Sequence, residues 1–208
     1  MKVSILLPLK ENFSPSYPGA VSLFINDTLS ISKYKKNCIV YGNTDLKKKF
    51  KLNYKNISVK KNFFKSQNKS YVEEFIKLEK KRNSDLIELH NRPIYLKYLI
   101  RRLSKKNYIL YFHNDPLTMN GSKSIIDRIY LLENCYKIIF NSRWSKRKFL
   151  EGMDYKFINS EKLIVINQSA KKNNVKLNKK EKIISFVGKL NKSKGYDIFG
   201  KAIIKILD

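Results

Sequence analysis

The chain has 208 residues, 42% of them hydrophobic, which is enough to fill a packed core and too apolar for a disordered segment. Its 44 Lys and Arg against 17 Asp and Glu leave a formal charge of +27. That excess suits an anionic partner such as nucleic acid, anionic lipid or polyphosphate, and it is equally the Lys-, Asn- and Ile-rich composition that an AT-rich genome produces.

Cys38 and Cys135 stand inside apolar runs with no CxxC partner, so the cysteines suggest neither a disulfide framework nor a metal site and suit a reducing cytoplasm. No run reaches membrane-spanning length, and the apolar start is broken at Pro8, too early for a signal peptide. Any membrane contact is expected to be peripheral.

In chain order, residues 3–9 read as a buried strand that leaves through a polar loop, 11–19, carrying Pro15, Pro18 and Gly19. Residues 20–34 have the period of a helix packed on a sheet. A glycine at such a helix start lets a phosphate approach the backbone, which makes Gly19 and Ala20 candidates for anion binding; Pro18-Gly19 is also simply a good turn. A second strand is expected over 37–41 and a third over 57–64, joined by a basic connection, with a helix over 68–82 supported by Glu73 and Lys77 at i,i+4 spacing.

Residues 85–90 then form a strand ending in His90, Asn91 and Arg92 before Pro93 opens a helix. Residues 108–112 form another, ending in His113, Asn114 and Asp115 before Pro116. The chain has two histidines, and both fall at such strand ends. In open α/β sheets, polar residues there line the crevice that binds ligands. Asp115 reads either as a base or as the cap of the following turn.

A helix over 125–134, a strand over 136–140 and a basic helix over 142–151 with an N-cap serine follow. Arg143, Lys146, Arg147 and Lys148 beside Trp144, Phe149 and Leu150 read as an ordinary solvated face or as a surface for anionic lipid. A strand over 162–166 precedes a polar, lysine-rich stretch, 167–181, without period. Residues 183–187 then read as a strand entering a loop with Gly188, Lys189 and Lys194, and a helix begins near Tyr196. Backbone N–H groups at that junction, joined by two ammonium groups, favour a diphosphate.

Phe186-Val187-Gly188-Lys189-Leu190 followed by Lys194-Gly195 resembles the motif that opens the C-terminal domain of family 4 GT-B glycosyltransferases. Leu89-His90-Asn91-Arg92-Pro93, Phe112-His113-Asn114-Asp115-Pro116 and the run from Ile138 to Ser145 resemble strand ends of that family's N-terminal domain. The resemblance implies that Gly19, Ala20, Gly188, Lys189 and Lys194 hold the diphosphate of a nucleotide-sugar donor. It further implies that His113, with Asp115, stands at the reacting centre and that His90, Asn91 and Arg92 lie on the acceptor side. Lys189 stands where the family usually has Arg, Gly19-Ala20 replaces a Gly-Gly pair, and Asn167-Gln168-Ser169 replaces a Pro-Asn-Gly element.

The expected fold is a doubly wound parallel α/β sheet of GT-B-like, Rossmann type over 1–170, a linker over 171–181, and the first strand and helix of a second Rossmann-like domain over 182–208. The resemblance covers about half of a family enzyme, so the chain reads as a fragment or a shortened gene product. The activity implied is a retaining, metal-independent transfer without cofactor. The resemblance to bacterial enzymes of lipopolysaccharide or surface-glycan synthesis implies a glycan or lipid-linked acceptor and a place in the cytoplasm, at the inner face of its membrane. Two alternatives remain open: a nucleic-acid-binding protein, for which no helix-turn-helix, zinc or RRM-type signature is present, and a non-catalytic remnant acting as a partner subunit.

Overall fold

Strand β1, Val3–Leu6, is buried at all four positions, as a strand covered on both faces of a sheet must be. The computed structural model describes residues 1–59, 66–169, 184–188, 190 and 192–207. The chain divides into two units, Met1–Lys171 and Lys172–Asp208.

The first unit adds strands β2 (Cys38–Gly42), β3 (Tyr54–Asn56), β4 (Leu86–His90), β5 (Asn107–Phe112), β6 (Lys137–Phe140) and β7 (Leu163–Val165). They form one sheet in the order β3-β2-β1-β4-β5-β6-β7, with every pair parallel. The order reverses between β1 and β4, so the carboxyl ends of these strands flank the crevice where such sheets bind ligands.

Alternate strand residues face opposite layers. Val3, Ile5 and Val40 pack with Val21, Ile25 and Leu29 of helix α1 (Ala20–Ser30). On the other face, Leu6, Leu89, Leu110 and Ile138 join a larger core. It is completed by α2 (Gln67–Arg82), α3 (Ile94–Ile100), α4 (Ile125–Asn134) and α5 (Arg143–Leu150) through Tyr71, Phe75, Tyr95, Leu131 and Phe149. Glu79 of α2 is buried with its carboxylate hydrogen-bonded: it accepts from the Ser4 hydroxyl at 2.6 Å, the Ser84 amide at 2.8 Å and the Ser84 hydroxyl. Ser66 caps α2, and Asn83, left-handed at φ 52°, ends it.

The third strand lies earlier than 57–64. Tyr54, Lys55 and Asn56 pair with Val40, Tyr41 and Gly42, and Tyr54 stacks on Phe13 with ring centroids 5.0 Å apart. Tertiary pairing thus selects Tyr54–Asn56, although Ile57 still donates to the Gly42 carbonyl at 2.7 Å. Residues 60–65 lie outside the described residues.

In the second unit, Lys192–Lys194 forms a 3-10 turn and α6 spans Tyr196–Leu207, the helix expected after the motif. Gly195 between them has φ +72°, a conformation that favours glycine. Residues 184–188 are not in a strand, because a strand is held by a neighbour's ladder and, among the described residues, no segment pairs with them. The expected linker, 171–181, lies outside the described residues.

Candidate functional site

Glu88 and His90 share one face of β4, two residues apart, and Tyr111 and His113 share the same face of β5 and its continuation; His90 pairs in register with Tyr111. This register places the two histidines side by side. His90 Nδ1 lies 2.9 Å from His113 Nε2, and His90 Nε2 lies 2.7 Å from Glu88 Oε1. The amide nitrogen of Gln168, just beyond β7, stands 2.6 Å from His113 Nδ1. Tyr111 stacks on His90 at 4.8 Å between centroids, and Phe24 of α1 meets the His113 ring edge-on at 5.0 Å.

The backbone of His113 is held on both sides. Its N–H donates to Asn91 Oδ1 at 2.8 Å, and its carbonyl accepts from Asn141 Nδ2 at 2.8 Å. Asn91 is buried and left-handed, φ 51°, a conformation asparagine tolerates better than most residues. Asn91 is thus a clamp for His113. Arg92 turns its guanidinium onto the Asn91 carbonyl, 2.8 Å. Of the three residues expected on the acceptor side, His90 reaches His113 through its ring and Asn91 through its amide.

Burial, and secondarily the neighbouring His90, push the His113 pKa down to about 3, so its ring is neutral near pH 7. Burial and the Glu88 carboxylate raise the Tyr111 hydroxyl well above its ordinary range. Asp115 Oδ1 accepts from the Leu117 amide at 2.9 Å, capping the turn Pro116–Thr118, which is the capping alternative of the two expected for it.

At the end of β1, Gly19 is the N-cap of α1, followed by exposed Ala20. The place expected for a phosphate is taken by the chain itself. Glu11 Oε1 accepts from the Ser22 amide at 3.0 Å, and a Cβ added at Gly19 would stand 2.0 Å from that oxygen. A carboxylate here satisfies an orphan helix N–H and the positive helix end. The missing Cβ is what admits the Glu11 carboxylate, since the φ of −77° is open to any residue.

In the second unit, Gly188 faces Lys194: a Cβ at Gly188 would be 3.9 Å from the Lys194 Cβ. Lys194 is exposed. Lys189 lies outside the described residues. Among the described residues, no group of three or more His, Cys, Asp or Glu could hold a metal ion, and no helix is long and apolar enough to cross a membrane.

Glu88, Gln168 and Asn141 were not among the candidates read from sequence. Glu88 carries a legible signal, a carboxylate two residues before a strand-end histidine and therefore on its face. Gln168 carries none, because 55 residues separate it from His113.

No protein-family profile and no curated protein matches this chain. Solved structures do. Anabaena HepE in complex with UDP and glucose shares 16% identity at TM-score 0.56, over 82% of this chain and 45% of that one. A glycosyltransferase from Rickettsia africae shares 18% at TM-score 0.51, over 80% and 42%. UDP-N-acetylglucosamine 2-epimerase from Rickettsia bellii shares 12% at TM-score 0.52, over 81% and 45%. The chain therefore spans under half the length of these neighbours. The likeness establishes the fold, a Rossmann-like parallel α/β sheet of the GT-B kind.

Proposed function

We propose that this chain carries the acceptor-side domain and the first donor-binding segment of a retaining glycosyltransferase. The donor is a nucleotide-sugar and the acceptor a glycan or a lipid-linked glycan, in lipopolysaccharide or surface-polysaccharide synthesis. One observation carries the reading: His113 is fixed through its ring, N–H and carbonyl at a strand end beside the point where the sheet order reverses. The structural neighbours support it, since HepE is a complex with UDP and glucose.

In this reading His113 orients the donor sugar and His90 backs it, while Lys189 and Lys194 offset charge on the leaving nucleoside diphosphate. Gly19 and Ala20 offer the N-terminal end of α1 to phosphate once the Glu11 carboxylate swings away. Asp115 is retained as a turn cap near the reacting centre, and Arg92 serves the acceptor side. Trp144, Arg147, Lys148, Glu151 and Ile158 line a surface hollow of about 460 Å³ around α5, where Glu151 pairs with Lys148 at 2.7 Å and Trp144 and Arg147 would meet an anionic membrane face. Neither metal nor cofactor takes part.

Titration of the chain with UDP-glucose and other UDP-sugars at physiological salt tests this. Saturable binding that weakens about tenfold, or about 1.4 kcal/mol, in Lys194→Ala and in His113→Ala is expected. Absence of saturable binding to every UDP-sugar, with retained binding to DNA, would overturn the reading in favour of a nucleic-acid-binding protein.

A further inference from the structure

We propose that Glu88 and His90 are positioning residues that keep the proton of His113 on Nε2, so that Nδ1 is a bare acceptor occupied by Gln168, and that a sugar hydroxyl replaces Gln168 there. The last clause rests on the proposed function; the proton arrangement does not.

The order of protons follows from what each partner can offer. An ionised carboxylate only accepts, so His90 Nε2, 2.7 Å from Glu88 Oε1, must carry hydrogen. A neutral imidazole then has a lone pair left on Nδ1, which can only accept from His113 Nε2–H across 2.9 Å. That leaves His113 Nδ1 unprotonated, facing the Gln168 amide nitrogen, which donates at 2.6 Å. The two imidazole planes lie within 20° of each other, as a bond to an in-plane lone pair favours. The arrangement with one proton more, placed on Glu88 or on His90, would reverse the bond between the rings and turn His113 Nδ1–H toward the Gln168 amide nitrogen, a donor facing a donor across 2.6 Å.

The outer end of the chain of bonds is built to exchange its occupant. Glu88 and His90 sit on regular strand positions and His113 directly after β5, its backbone held by Asn91 and Asn141, whereas Gln168 is exposed on the segment after β7, anchored by the Ile166 amide on the Phe140 carbonyl at 2.9 Å. Whatever displaces its amide must donate to Nδ1, or a polar atom loses its partner. A hydroxyl does so and can still accept from elsewhere; a phosphate or carboxylate oxygen, an acceptor like Nδ1, is rejected. The site therefore selects the sugar and not the diphosphate of a nucleotide-sugar.

Nitrogen-15 spectra of the ring nitrogens of the full chain, labelled at its two histidines, decide the arrangement without any variant. Each ring is expected to show one protonated and one bare nitrogen, with both protons on Nε2. Gln168→Ala should shift His113 Nδ1 while leaving both protons in place, and Glu88→Gln, which keeps the side-chain shape, should produce a tautomer mixture at His90. A protonated Nδ1 on His113 in the wild-type chain, or Glu88→Gln spectra identical to wild type, would overturn the proposal. If the proton pattern holds and no UDP-sugar binds, the functional reading fails, and the hydroxyl clause with it. If UDP-sugars bind and the pattern is reversed, the relay fails alone.

Discussion

The ends of β1 and of β4 and β5 lie on either side of the same switch point, and each uses a glutamate, with opposite results. At the β1 end, Glu11 places its carboxylate against the first turn of α1 and closes an anion site with the chain's own charge. At the other, Glu88 stands two imidazoles back, and its acceptor character is relayed outward until it appears as a lone pair on His113 Nδ1. A carboxylate in direct contact with donors consumes a binding site, whereas one behind a tautomeric relay defines the polarity of a site.

The largest effect expected from this contrast is on pH dependence. An unfolded histidine takes up a proton as pH falls through 6.5, whereas folded His113 stays neutral down to about 3. The unfolded chain therefore binds more protons in that window, and stability should fall on acidification by up to about 1.4 kcal/mol per pH unit. Urea unfolding at pH 7 and at pH 5 measures it, and His113→Asn should remove that share of the slope. Next, Glu88→Leu should cost about 1–3 kcal/mol, because the buried His90 Nε2–H loses its partner, while Glu88→Gln should cost less.

At the β1 end the effects are smaller. Gly19→Ala should evict the Glu11 carboxylate and cost about 0.5–2 kcal/mol, the usual range for a lost helix cap. Glu11→Ala should cost a similar amount, and the double variant no more than either single one, since both remove one interaction. The smallest effect is a control away from both ends: burial pushes the Cys135 thiol up to about 12 and also raises Cys38, so thiol reagents should label neither until the chain unfolds.

Much of this was legible in the residues, for identifiable reasons. His90 and His113 stand out because each ends a largely apolar run and precedes a proline three residues on, a local pattern that marks a strand end. The parallel sheet follows from strands alternating with helices. The third strand shifted because its bounds depend on pairing with β2 and on the Phe13 ring, neither of which leaves a local trace. Gly19 was readable as a helix start, but its neighbour was not, because Glu11 returns to it through the intervening loop. Gln168 lay within a polar stretch that reads as linker, yet its amide completes the histidine site.

The most direct measurement follows the ring nitrogens of His113 during titration of the labelled chain with UDP-glucose. A saturable shift of His113 Nδ1, with Nε2 still protonated and the His90 signals moving less, is the predicted result. Ring nitrogens that stay unchanged at saturating nucleotide-sugar would contradict the account.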